Sequence, residues 1–223
     1  MKATFIVLAS LALAASAEAA TIITTNTPTG NVTPQAGSSY VSLVNSSGLS
    51  ATVSTGMDTA SALAVTQLGT AATADTYVTG STGGGTDYFV AGGTVPVLTF
   101  TLGGIYDNID SIILWNYVNL QNTTTQFSLS FFSDALATTQ IGSTITGLSA
   151  TADLTNAQQI FFGGGGTVDF DGVQAIQMAL TDNSGGNRVG LGEVRFSQQA
   201  VPEPSRLVLL GLASIGLIWR RRR

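Results

Sequence analysis

Apolar residues recur at every second position in several short runs, and the runs are separated by glycine, asparagine and aspartate. In Thr125 to Ser133, Phe127, Leu129 and Phe131 alternate with Gln126, Ser128 and Ser130. Pro96 to Leu102 sets Leu98, Phe100 and Leu102 against Val97, Thr99 and Thr101. Gln174 to Thr181 sets Ile176, Met178 and Leu180 opposite Gln177, and Val189 to Ser197 points Val194 and Phe196 inward. Successive side chains of a strand point to opposite faces, so a period of two predicts strands with one buried face. Ile109 to Tyr117 is a stronger apolar run and reads as a central strand; Tyr40 to Val44 is a further strand candidate. Asp58 to Leu68 and Asp153 to Gln159 read as short helices. Short strands joined by turn residues predict an all-β fold, an antiparallel β-sandwich.

Charge is scarce. Only 9% of the 223 residues are charged, against roughly 25% in ordinary soluble proteins, while hydrophobic residues at 44% argue against disorder. Between Ala20 and Ala200 the basic residues are Arg188 and Arg195, against eleven acidic ones, a formal charge of −9. Such a body repels phosphate backbones, which argues against nucleic acid as a partner, and attracts cations such as calcium. Cysteine and histidine are both absent, which excludes disulfides, zinc–thiolate sites, a thiol nucleophile and the commonest general base near neutral pH.

The two ends carry processing patterns. Lys2, the apolar run Phe5 to Ala15 and the small residues Ala17 and Ala19 form a secretory signal peptide over residues 1–19, with Ala17 as an alternative cleavage point. At the other end, Val201, Pro202, Glu203 and Pro204 form an extended, non-helical segment, because proline fixes its own φ and excludes helix before it. The 13 uncharged residues Leu207 to Trp219 follow. As a helix they rise roughly 20 Å, short of the roughly 30 Å hydrocarbon core. Snorkelling by Arg206 and by Arg220, Arg221, Arg222 and Arg223 extends the span into a transmembrane helix. The arginine cluster holds the C-terminus in the cytoplasm, giving an N-out, C-in topology. The domain reading is a signal peptide (1–19), a flexible lead-in (20–36), a β-sandwich (37–198), a Pro-Glu-Pro linker (199–206) and an anchor with its arginine tail (207–223).

Pro202-Glu203-Pro204, a short apolar helix and a terminal arginine cluster together resemble the PEP-CTERM protein-sorting signal. The resemblance implies a Gram-negative exported protein, held transiently in the inner membrane, cleaved by an exosortase near Pro-Glu-Pro and released to the cell surface or an exopolysaccharide matrix. A plain, permanent membrane anchor is the competing reading. Within the body, Leu43 to Ser50, Leu102-Gly103-Gly104-Ile105-Tyr106 with Ile113 to Tyr117, Phe131-Phe132-Ser133-Asp134 and the closing Val189 to Phe196 resemble, in that order, the discoidin-like, galactose-binding-type jelly roll. The strand pattern alone gives a sandwich; the jelly roll is what the resemblance implies.

Candidate sites are few. Trp115, the only tryptophan of the body, either stacks on a pyranose ring or fills the core, and Asn116 and Asn119 either bind sugar hydroxyls or make turns. Asp169 and Asp171 share one side of an extended segment and, with Asp107, Asp110 or Glu193, form a candidate structural calcium site; otherwise they are solvated turn residues. Gly163 to Gly166 lacks the lysine of a phosphate-binding loop. Arg188 and Glu193 are expected to pair at one end of the sandwich. No catalytic set emerges and no cofactor is called for. The sequence therefore points to a non-enzymatic surface or matrix protein, with a carbohydrate-binding module for exopolysaccharide as the alternative.

Overall fold

The computed structural model describes residues 19–68, 73–162 and 170–199. The signal peptide up to Glu18, Val201 to Pro204, the anchor with Arg220 to Arg223, Gly163 to Gly166 and Asp169 lie outside the described residues. Among the described residues no helix is long and apolar enough to cross a membrane.

The strands are β1 (Thr21–Ile22), β2 (Thr29–Gly30), β3 (Tyr77–Val78), β4 (Val97–Tyr106), β5 (Ile109–Asn116), β6 (Thr124–Phe132), β7 (Gln140–Ser149), β8 (Gln158–Phe161), β9 (Val173–Asn183) and β10 (Gly190–Gln198). They build two antiparallel sheets. One runs β1-β10-β5-β8, with β3 also paired to β10; the other runs β2-β4-β9-β6-β7. This is the jelly-roll sandwich that the sequence resemblance implies.

The alternating residues meet between the sheets. Leu98, Phe100 and Leu102 of β4, Phe127, Leu129 and Phe131 of β6, and Ile176, Met178 and Leu180 of β9 face Ile112, Leu114, Val194 and Phe196 of the first sheet. Phe100 and Phe196 touch edge to face across the gap, centroids 5.3 Å apart. Burial of each such side chain contributes about 1.5–3 kcal/mol. A second, smaller core lies on the outer face of the first sheet, where Ile113 and Trp115 pack against Ile22, Leu49, Val53, Ala62 and Val65. Both faces of β5 are therefore covered, which explains its unbroken apolar run.

Several local expectations change. Tyr40 to Val44 is not a strand. Tyr40–Leu43 forms a 3-10 turn because the Ser39 hydroxyl accepts the Val41 N–H and caps its start. The first helix is only Thr59–Leu63, α1, capped by the Asp58 carboxylate on the N–H and hydroxyl of Ser61. Its expected continuation is pulled away instead, as Thr66 bridges to Asn156 and Gln67 to Leu49. Asp153 folds a turn rather than a helix by accepting the N–H groups of Thr155 and Asn156, and β8 follows. The 20–36 lead-in belongs to the sandwich: β1 and β2 extend one sheet each, and Ile22 and Ile23 are buried.

Candidate functional site

Strand pairing sorts the molecule into two ends. Thr21 pairs with Gln198, and the Gln199 N–H donates to the Asn108 carbonyl, so both ends of the described body lie beside the β4–β5 turn. The connections β3–β4, β5–β6 and β9–β10 gather at the opposite end. There the Gly186 N–H donates to Gln121 O (2.7 Å), the Tyr88 N–H to Gly186 O (2.8 Å) and the Thr82 N–H to Asn187 O (3.2 Å).

This loop end is held by buried amides. Asn183 Nδ2 donates to the carbonyls of Gly186 (2.8 Å) and Arg188 (2.5 Å), while Asn122 Oδ1 accepts the Arg188 N–H at 3.2 Å. Glycine at 186 is a steric requirement, because a Cβ there would meet Asn122 Oδ1 and, at 2.5 Å, the Gln121 carbonyl. The three connections thus form a pre-set surface, with Val90 and Leu120 exposed (79% and 55%) and Arg188 half-buried.

The tryptophan and asparagine of the sequence reading lie elsewhere. Trp115 is fully buried in the second core, its Nε1–H donating to Val65 O at 2.8 Å. Asn116 is fully buried too. Its Nδ2 donates to Thr124 O and Thr151 O, and its Oδ1 accepts the N–H groups of Tyr117 and Thr124. Neither residue presents a surface to a sugar in this fold: the ring is enclosed and the amide is saturated. Asn119 is exposed at the loop end and caps the turn that follows it.

Of the described acidic candidates, Asp107, Asp110 and Asp171 lie toward the β4–β5 end and Glu193 lies on β10. Asp171 is exposed, and Asp107 accepts the N–H of neighbouring Gly172 at 2.7 Å, at the β4–β5 end of the body. Asp110 accepts from the hydroxyls of Ser111 and Ser197. Among the described residues no group of three or more histidine, cysteine or carboxylate side chains is placed to hold a metal ion. Glu193 does not pair with Arg188. Residues 193 and 195 share a face of β10, and Glu193 Oε1 pairs with an Arg195 Nη at 2.5 Å, both buried. Glu193 Oε2 also accepts the Ser46 N–H, and the Ser46 hydroxyl accepts from Arg195. Burial pushes the Glu193 carboxyl up to about 7 against the pull of Arg195 and the Ser46 N–H.

Residues 200–223 match the PEP-CTERM protein-sorting motif. No curated protein matches the chain. Among solved structures, the paired family 32 carbohydrate-binding modules of Clostridium perfringens ZmpB, in complex with GalNAc, align at 11% identity with a TM-score of 0.51, over 81% of this chain and 36% of that one. The chain thus spans about a third of that protein's length. The family 32 module of C. perfringens NanJ, in complex with galactose, aligns at 10% identity and TM-score 0.48, covering 80% of this chain and 99% of that one. The F5/8 type C domain of a Bacteroides fragilis protein gives 11% identity and TM-score 0.39, covering 56% and 74%. The chain joins a PEP-CTERM sorting motif, which implies export, to a body with the jelly-roll fold of the family 32 carbohydrate-binding modules.

Proposed function

We propose that this is a non-enzymatic, exported glycan-binding protein, cleaved by an exosortase and deployed at the cell surface or in an exopolysaccharide matrix. The carrying observation is the two-ended geometry. Gln199, the last described residue before the sorting motif, lies beside the β4–β5 turn, and the three clamped connections lie at the opposite end of the body. A pre-set surface of loops on a rigid sandwich is how such scaffolds carry binding groups. The solved structure with the same fold was determined with GalNAc bound, which supports a sugar as the ligand class.

A glycan array probed with the full chain in detergent is expected to show binding to a defined set of glycans. A blank array would turn the reading to the alternative, a purely structural matrix protein. Mass spectrometry of the protein from its native host tests the processing step: mature chains should lack Leu207 to Arg223, and retention of that segment would sink exosortase cleavage.

A further inference from the structure

We infer that the outer edge of β7 is an interface with a second copy of this chain, which joins it edge to edge as an antiparallel strand about a two-fold axis. The inference goes beyond the glycan-binding reading and does not depend on it.

The edge of a sheet carries a row of N–H and C=O groups that can accept another strand. Most strands at the edges of this sandwich are short: β1, β2 and β3 have two residues each and β8 has four. β7 has ten, and among the described residues no strand pairs with its outer side. Long edges are ordinarily blunted by charge or proline, and β7 has neither. Between Asp134 and Asp153 there is no charged residue and no proline. The two flanking carboxylates are engaged in turns. Asp134 accepts the N–H groups of Leu136, Thr138 and Thr139, and Asp153 those of Thr155 and Asn156.

This edge also has an apolar margin. Ile141, Ile145 and Leu148 of β7 pack on the core yet are only half-buried, as is Ile160 of β8. Covering that margin removes apolar surface from water. Charge favours the same approach. A body of formal charge −9 repels its own copy, and the repulsion is least where the chain between Asp134 and Asp153 is neutral. Two copies of one edge are complementary in the antiparallel sense, and a two-fold contact closes on itself, so pairing stops at a dimer. Gly142 and Gly147, both at positive φ, bulge the strand at the two ends of the run 143–146 and confine the new ladder to it. The contact is therefore small, below the roughly 1,200 Å² of stable interfaces, and reversible.

The test is the protein mass of the full chain in detergent, followed by analytical ultracentrifugation. The mass should rise from monomer to dimer between roughly 1 µM and 1 mM, and at lower concentration in higher salt, which screens the repulsion. Thr146→Asp, at an exposed position of β7, sets like charges against each other and should weaken dimerisation about 10-fold. Thr52→Asp, exposed in the segment over the outer face of the other sheet, should leave it within about 2-fold. The chain has no cysteine, so single introduced thiols report contacts between copies. A short bis-maleimide should join copies of Ser143→Cys and of Thr146→Cys, and should not join copies of Thr52→Cys. A mass that stays monomeric to about 1 mM, assembly past the dimer, an unchanged Thr146→Asp or equal cross-linking of all three cysteine variants overturns the inference. Circular dichroism checks the fold; if Thr146→Asp does not fold, the cross-linking comparison decides.

Discussion

Glu193 and Arg195 stand two positions apart on β10, so the pleat sends both side chains outward, where Ser46 of the covering segment closes over them. Removing one partner strands the other. Glu193→Ala should cost about 3–5 kcal/mol, and a joint replacement by leucine and methionine should recover most of it, as denaturant melts of the three variants would show. The pair also sets a pH dependence. Glu193 holds its proton more tightly in the fold than at its ordinary value of 4.5, so its contribution is complete below about 4.5 and falls as pH rises through about 7. The melting temperature should slope downward over that range, and Glu193→Gln should flatten the slope. Gly186 is the second single-residue test. Gly186→Ala drives a methyl into Asn122 and Gln121 and should cost about 1–3 kcal/mol, read as a lower midpoint in a denaturant melt.

Among the elements, β5 and the segment over it depend on each other. Ile112 and Leu114 face the sandwich core, while Ile113 and Trp115 face Leu49, Val53, Ala62 and Val65. Trp115→Ala should destabilise the fold by about 3–5 kcal/mol, read as a fall in melting temperature. Glycan binding by the fraction that stays folded should be unchanged, which separates a core tryptophan from a sugar-stacking one. The neighbouring sheet shows why one strand escapes notice. Along β7, Ile141, Ile145 and Leu148 reach the core side at uneven spacing, because bulges around Gly142 and Gly147, both at positive φ, break the alternation. A search for strict period two passes over such a strand.

For the whole molecule, both ends of the described body lie on one side, beside the β4–β5 turn, and the three clamped connections lie on the other. Cleavage near Pro202-Glu203-Pro204 would also remove Arg206 and Arg220 to Arg223, five of the eight basic residues of the chain. Host-derived mature protein should therefore focus at a more acidic position than the intact chain; an unchanged position would argue for a permanent anchor.

The sequence by itself determined the C-terminal sorting motif, the all-β class and the inward faces of β4, β6, β9 and β10. These are local properties: a signal is contiguous, and the period of two is read within one strand. Only the tertiary structure decided that Trp115 and Asn116 are buried and that Glu193 pairs with Arg195. Each depends on contacts distant in the chain, as when Val65 reaches Trp115 across 50 residues and Ser46 reaches Glu193 across 147. A strand's alternation tells which face meets its own sheet's core, but a covering segment brought from elsewhere decides whether the other face sees water. That second burial turns a candidate sugar-binding tryptophan into a core residue.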